Sequence, residues 1–188
     1  MTSLLEDIRI KAGVYLMNKK LAKQKRRVIV RNLNDIKKAG IIFDATSGKN
    51  IDLVKNFINE LKKYGIKTKA LGYIHDHRKN IDLIGNDKLG YITKDDYSFF
   101  YEPKDEIIES FISEKFELLI VYCENDHFPL RHISTLSAAQ FKAGEKGVCD
   151  EVMDMMIELP ENKGLPELQK HLIHYLSIIN KPNKKTEK

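Results

Sequence analysis

The fold is decided by residues 40–74, which begin Gly-Ile-Ile-Phe-Asp-Ala-Thr-Ser-Gly-Lys-Asn (40–50) and end Ala-Leu-Gly-Tyr-Ile (70–74). The opening run is apolar at consecutive positions, which is typical of a strand covered on both faces. Between the two runs, apolar side chains recur at helical spacing, and Gly65 follows them in the position that often ends a helix. The stretch therefore predicts a strand, a polar turn, a helix and a second, parallel strand.

The rest of the chain continues this alternation of strands and helices. Alternation of this kind predicts a three-layer, Rossmann-like α/β domain with a mostly parallel sheet of five or six strands. The further strands are expected at residues 88–93, 116–123, 140–143 and 154–159, with an optional edge strand at 28–30. The further helices are expected at residues 3–25, from Asn32 or Asn34 to about Ala39, from Pro103, from Pro129 to Leu136, and at 165–179.

A length of 188 residues suits one domain with a single core. We predict a basic amphipathic helix at residues 1–27, a single α/β domain at 28–180 and a disordered basic tail at 181–188. No apolar run reaches the ~18 residues that a membrane span needs, and the N-terminal residues lack the pattern of a signal peptide. Cys123 and Cys149 are interpreted as reduced thiols, so a cytoplasmic location is expected.

The positive charge of the chain is concentrated near its N-terminus. The net charge is +5, and six of the nine residues from 19 to 27 are basic. Such a cluster can attract nucleic acid or anionic lipid, although a solvated helix end explains it slightly better. A third interpretation is that the apolar stripe of the helix packs against a second copy of the chain. The basic residues are Lys19, Lys20, Lys23, Lys25, Arg26 and Arg27, and the stripe contains Leu5, Ile8, Ala12, Tyr15 and Leu16.

The turn after the first strand is a candidate ligand site. Asp44, Thr46, Ser47 and Lys49 would lie at the carboxyl end of a parallel strand, where open α/β sheets bind ligands. The hydroxyl groups and the amides of the following helix could hold an anion, with Lys49 adding charge. Gly48 stands alone, however, so the turn matches neither a P-loop nor a dinucleotide fingerprint. The alternative is an ordinary helix cap with Asp44 bonded to loop amides.

The sequence His75-Asp76-His77-Arg78 follows the second strand and should lie at the same edge. An imidazole here could bind a ligand, ligate a metal or act as a base oriented by Asp76. No third ligand has the spacing of a metal motif. A solvated polar loop is the alternative, and no metal site is predicted.

A third polar turn, Glu124-Asn125-Asp126-His127, follows the most apolar strand. Asn125 is a candidate ligand-binding residue, and Asp126 or Glu124 paired with His127 could transfer protons. The alternative is that Asp126 caps the helix that follows. In a parallel sheet all three turns would converge on one edge, so the candidate catalytic residues are Asp44, Asp126 and His127.

Four blocks carry a resemblance to a known family: Gly-Ile-Ile-Phe-Asp-Ala-Thr, Ala-Leu-Gly-Tyr-Ile, Phe-Pro-Leu-Arg-His-Ile and Ala-Gln-Phe-Lys-Ala-Gly. The chain resembles, over about residues 20–178, a family of small uncharacterised bacterial proteins known as a domain of unknown function. The resemblance implies a single α/β domain. It implies no activity, cofactor or catalytic residue.

Two functions follow as hypotheses. The first is a non-catalytic adaptor that engages a macromolecule or a second copy through the basic N-terminal helix. The second is an enzyme or sensor that binds a small anionic or nucleotide-like ligand at the carboxyl edge of the sheet. The lack of any motif with defined catalytic mechanics favours the adaptor and leaves both enzymatic activity and any cofactor undetermined.

Overall fold

The computed structural model describes residues 4–75, 88–123, 125–147, 149–160 and 163–180. The strands are β1 (Lys38–Asp44), β2 (Lys67–Ile74), β3 (Leu89–Thr93), β4 (Leu118–Tyr122), β5 (Lys142–Glu145) and β6 (Met155–Ile157). The helices are α1 (Leu4–Leu21), α2 (Gly48–Lys63), α3 (Glu106–Ser113), α4 (Phe128–Leu136) and α5 (Gly164–Ile178).

The six strands form one sheet in the order β3-β2-β1-β4-β5-β6. Every neighbouring pair among these described strands is parallel. The prediction of a Rossmann-like parallel sheet of five or six strands is therefore confirmed. The strand order reverses between β1 and β4, which places the topological switch point of the fold at that pair.

Helices cover both faces of the sheet. The apolar side chains of α2 and α5 pack with those of Ile41 and Phe43 on one face. Those of α3 and α4, together with Met17 of α1, pack with Ile42 and Leu119 on the other face. Because β1 is buried on both faces, its sequence is apolar at consecutive positions and does not alternate.

Strand β5 begins later than the sequence predicts, at Lys142 rather than at residue 140. Lys142 is only 2% exposed, and its ammonium donates to the carbonyl oxygens of Ser134 (2.6 Å) and Thr135 (3.0 Å) near the C-terminal end of α4. Burial lowers the pKa of Lys142 to about 8. The predicted strand at 140–143 therefore overlaps β5 at Lys142 and Ala143, but the sequence gives no sign that Lys142 caps α4.

Several other bounds also differ from the sequence prediction. Residues 28–30 form no strand, although the Ile29 amide donates to the Gln140 carbonyl. The predicted helix after Asn32 is a single 3-10 turn, because Ala39 already belongs to β1. Helix α1 ends at residue 21 rather than near residue 25, α3 is capped by Asp105 and begins after it, and β6 is confined to residues 155–157.

Helix α1 packs on α4 through the face that the sequence did not predict. The buried residues of α1 are Arg9, Gly13 and Met17, and the guanidinium of Arg9 donates to the Phe99 carbonyl (2.7 Å) and lies over the Tyr101 ring (4.4 Å). The predicted apolar stripe lies largely outside this buried face. Leu5 (65%), Ile8 (49%) and Tyr15 (67%) are exposed, whereas Ala12 and Leu16 are half-buried.

No helix within the described part of the chain is long and apolar enough to cross a membrane.

Helix α1 can pack closely against Phe128 and Tyr101 because residue 13 is a glycine. A Cβ atom at this position would lie 2.7 Å from Phe128 Cζ and 3.0 Å from Tyr101 Cβ. We expect Gly13→Ala to destabilise the fold by about 1–2 kcal/mol, because overpacking outweighs the gain in helix propensity. Urea unfolding measures this free energy. Gly48→Ala is the matched control, since no atom lies within 4 Å of its added Cβ, and it should be neutral or stabilising; equal effects of the two substitutions would contradict the packing argument.

Candidate binding site at the carboxyl edge of the sheet

The turns after β1 and β4 meet at the switch point. Asp44 ends β1, and His127 is the residue before the first turn of α4. Asp44 Oδ2 lies 3.4 Å from His127 Nε2, and both side chains are largely buried. This contact spans the crevice in which doubly wound sheets bind their ligands.

Hydrogen bonds keep Asp44 ionised in this buried position. Burial alone would raise its pKa, but the bonds from His127 and from the amide and hydroxyl of Thr46 outweigh it, and the pKa is lowered. The Thr46 amide donates to Asp44 Oδ1 at 2.9 Å, and the Asn50 side-chain amide donates to the Asp44 carbonyl at 3.1 Å. The sequence analysis offered, as an alternative to ligand binding, that Asp44 is bonded to loop amides. The bond from the Thr46 amide agrees with that alternative.

The turn after β2 joins the same cluster through His75. Its amide donates to Thr46 Oγ1 at 3.0 Å, and its ring stacks on that of His127 at a centroid distance of 4.7 Å. Tyr73 places its ring 5.4 Å from His127. The three predicted turns thus do converge on one edge. The predicted partners at residues 76–78 lie outside the described residues.

The chemistry available to this cluster is proton transfer. A carboxylate that bonds one ring nitrogen of an imidazole fixes the orientation of the ring. His127 retains 16% side-chain exposure, so its ring can still be reached from the edge of the sheet. Within the described ranges, no three histidine, cysteine, aspartate or glutamate side chains gather to hold a metal ion.

A cavity of about 780 Å³ opens at the same edge of the sheet, on the face covered by α2 and α5, and neither Asp44 nor His127 lines it. The first residues of α2 and of α5 both border it, and Tyr122 and Cys123 form its wall at the end of β4. The cavity therefore sits on the switch point as well. The remaining lining residues include Leu53, Glu145, Lys146, Gly147, Leu159 and Pro160.

Positive charge dominates this cavity. The described lining residues include three lysines, Lys49, Lys146 and Lys163, and one carboxylate, that of Glu145. Lys146 also pairs with the exposed Glu158 at 3.2 Å. An exposed pair of this kind contributes little energy, so its lysine is available to a ligand. The described lining therefore favours an anion.

Not every predicted residue belongs to the site. Asp126 is exposed and pairs with Arg131 at 3.4 Å instead of capping α4, because His127 occupies the cap position and makes no side-chain cap bond. Asn125 is exposed at the rim and lines no described cavity. Ser47 and Lys49 do line the cavity.

The basic N-terminal run lies elsewhere and is partly engaged within the chain. Arg26 forms a two-pronged ion pair with Asp154 at 2.6 and 2.7 Å, and Lys20 pairs with Glu109 at 3.2 Å. The other four basic residues of the run are exposed and form no ion pair with any described residue: Lys19, Lys23, Lys25 and Arg27.

Sequence reasoning missed the lysines contributed by the C-terminal third of the chain. Lys146 follows β5, and Lys163 precedes α5, so both lie at the carboxyl edge. One local signal was available, because Gly164 and Pro166 mark the start of a helix whose first turn faces the edge. Gly164 has φ +58 and approaches the Tyr122 hydroxyl, which a Cβ atom would meet at 3.2 Å.

A model of a protein family, described as a family of unknown function (DUF6913), matches residues 9–179. The chain belongs to the DUF6913 family. The matched region of this DUF6913 protein contains all six strands and every candidate residue at the carboxyl edge. No curated protein and no solved structure matches the chain.

The lowered pKa of Asp44 gives a testable pH dependence in this DUF6913 protein. The stabilisation is fully present above the unfolded-state pKa, near 3.8, and is lost as the pH falls through the lower pKa of the folded state. We expect Asp44→Asn to cost about 1–2 kcal/mol at neutral pH, and the difference from the wild type to shrink between about pH 4 and pH 2. Urea unfolding across this range measures it.

Asp52→Asn is the control, because Asp52 is an exposed carboxylate on the neighbouring helix α2 with only a 3.8 Å ion pair. Its effect should be small at every pH. A stability difference for Asp44→Asn that does not change with pH would show that the carboxylate charge plays no part.

Proposed function

We propose that the protein binds a small anionic ligand in the cavity at the carboxyl edge of its sheet. One observation carries this proposal: two helix N-termini and three lysines, Lys49, Lys146 and Lys163, border one cavity at the switch point. This is the second of the two functions that the sequence suggests, and the geometry supports it better than it supports the first.

The helix termini contribute through their free amides. The first four N–H groups of a helix have no partner inside it, and they carry partial positive charge. Ser47 and Lys163 occupy the cap positions of α2 and α5, and neither makes a side-chain cap bond in the described structure. The Asn50 amide is bonded to the Ser47 carbonyl at 3.1 Å, and Pro166 in the first turn of α5 has no N–H. The earliest amides of each helix are therefore the ones that a ligand can take, and phosphate or carboxylate groups suit such sites.

The size and the apolar part of the lining restrict the ligand further. A volume of about 780 Å³ lies within the range of small-molecule sites, about 300–1,000 Å³. Leu53, Leu159 and Pro160 supply apolar contacts. A ligand with an anionic group and a flat or apolar body, such as a nucleotide, matches this combination.

The Asp44–His127 pair would act on such a ligand as an acid–base group. It lies at the same switch point, on the face of the sheet opposite α2 and α5, while the intervening Cys123 belongs to the cavity wall. A reactive group that reached across the crevice would meet an imidazole held by a carboxylate. The proposal includes enzymatic activity only as proton transfer by this pair. Binding of the anion without any reaction would also agree with the proposal.

Binding is tested by thermal unfolding with inorganic phosphate, pyrophosphate and adenosine 5′-monophosphate, with sodium chloride of equal ionic strength as reference. We expect at least one anion to stabilise the fold, by about 1.4 kcal/mol at tenfold its Kd. Lys49→Ala and Lys163→Ala should each weaken that binding about fivefold, since each removes one charge from the site.

Lys62→Ala is the matched control, because Lys62 is an exposed lysine in the last turn of the same helix as Lys49. It should bind the anion like the wild type. Stabilisation by no anion, or equal weakening by Lys62→Ala, would refute the cavity as the binding site.

A second function is favoured by the exposed face of α1. Leu5, Ile8 and Tyr15 lie on the outside of the helix, and exposed apolar patches mark interaction surfaces. We propose that this face engages a second copy of the chain. The exposed Lys19, Lys23, Lys25 and Arg27 would add attraction to nucleic acid or anionic lipid, and that attraction should weaken steeply with salt.

Self-association is tested with the double substitution of Ile8→Ser and Tyr15→Ser, because deletion of the helix would uncover the body beneath Gly13 and Met17. We expect sedimentation to show a concentration-dependent dimer for the wild type, and at least about a tenfold weaker one for the variant. Tyr64→Ser is the control, since Tyr64 is an exposed aromatic residue at the end of α2. A monomeric wild type at every concentration would exclude this function.

A further inference from the structure

Three ring side chains pack together at the carboxyl edge of the sheet, beside the turn that follows β1. The ring of His75 stacks on that of His127, with a centroid distance of 4.7 Å and an interplanar angle of 26°. The Tyr73 ring lies 5.4 Å from that of His127 and 6.3 Å from that of His75. Tyr73 is buried and the His127 side chain is 16% exposed. His75 is therefore the outer, exposed member of this ring cluster.

We propose that the exposed ring of His75 is a stacking platform for the base of a nucleotide. This inference rests on the anion site proposed above and names the class of its ligand more closely. The ligand is a nucleoside phosphate whose phosphate group enters the cavity and whose base packs on His75. Histidine is among the side chains on which proteins stack nucleobases. Such a contact uses the π-face of the base and needs no matched hydrogen bonds.

Polar contacts hold the platform in place before any ligand arrives. The His75 amide donates to Thr46 Oγ1 at 3.0 Å, and the Thr46 amide donates to Asp44 Oδ1 at 2.9 Å. Asp44 Oδ2 lies 3.4 Å from His127 Nε2, so the ring on which His75 stacks is fixed as well. Stacking on a ring that is already fixed costs less free energy of ordering than stacking on a mobile one.

The platform and the cavity lie on two sides of one turn. Thr46 accepts the bond from His75, whereas Ser47, the next residue in the chain, borders the cavity together with Lys49 and Asn50. His75 is not among the described residues that line the cavity. A phosphate at the first amides of α2 and a base on His75 would therefore be separated by the width of this turn. The sugar of a nucleotide can bridge that separation.

Position distinguishes His75 from another exposed histidine of the chain. His174 is exposed, and its ring lies edge-on to that of Tyr175 at a centroid distance of 5.4 Å. It lies in the second half of α5, away from the helix end that borders the cavity. His174 therefore has an aromatic neighbour but no adjacent anion site, which makes it the matched control.

The test compares three ligands by isothermal titration calorimetry of the full chain at constant ionic strength. Adenosine 5′-monophosphate is the complete ligand, ribose 5-phosphate lacks the base, and adenosine lacks the phosphate. We expect adenosine 5′-monophosphate to bind at least about tenfold more tightly than ribose 5-phosphate, because stacking of a base on a ring side chain contributes about that factor or more.

Three variants assign the difference to the ring of residue 75. His75→Ala should weaken the binding of adenosine 5′-monophosphate about tenfold and leave the affinity for ribose 5-phosphate unchanged, which also shows that the variant is folded. His75→Phe should restore most of the lost affinity, since it supplies a ring without imidazole nitrogens. His174→Ala should bind all three ligands like the wild type.

The outcomes separate the stacking platform from the anion cavity. Equal affinities for adenosine 5′-monophosphate and ribose 5-phosphate would overturn the platform and leave the cavity intact, as would equal weakening of both ligands by His75→Ala. Binding of adenosine that depends on His75, with no gain from the phosphate group, would support the platform and refute the cavity. Binding of neither adenosine 5′-monophosphate nor adenosine would overturn the platform.

Discussion

The constraint on which this molecule depends is the reversal of strand order between β1 and β4. Connections between parallel strands are right-handed, so the chain must leave β1 and β4 toward opposite faces of the sheet. The packing agrees: α2 belongs to one core cluster and α4 to the other. No helix can then cover the gap between these two strands at their carboxyl ends, and a crevice remains. Its position follows from backbone topology and does not require any particular side chain.

The side chains then divide the crevice into two environments. On the α4 face, Asp44 and His127 form a buried pair whose carboxylate is kept ionised by hydrogen bonds. On the α2 face, lysines and two helix N-termini surround open volume. The first environment is suited to holding a proton and the second to holding a negative charge. A site with both environments could hold the anionic group of a ligand in one and transfer a proton to or from another group of the same ligand in the other.

The sequence predicts features that depend on neighbouring residues in the chain. It does not predict contacts between residues that only the tertiary fold brings together. The βαβ unit and the turn after β1 were predictable because strand pattern, cap and helix period lie within residues 40–74. The order of the strands in the sheet was not predictable. The contact between Asp44 and His127 could therefore be expected only as one of several possible contacts among the three polar turns. Lys142 interrupts the apolar residues of β5. Its ammonium caps α4, and a pattern of apolar residues does not reveal this contact. Lys146 and Lys163 were missed since each stands alone, and only the fold brings them to one cavity.

The apolar periodicity of helix α1 correctly predicts a helix, but several of its apolar side chains do not pack against the α/β domain. Part of its buried face is charged: Arg9 is satisfied there by the Phe99 carbonyl, by the carboxylate of Glu6 at 3.3 Å and by the Tyr101 ring. The rest of that face is apolar, with Met17 buried and Ile10 and Val14 packed against the core. Leu5, Ile8 and Tyr15 of the predicted stripe remain exposed, and exposed apolar area is unfavourable by about 25 cal/mol per Å². Burial of those side chains by a second copy would remove that penalty, which is the physical reason to expect association at this surface.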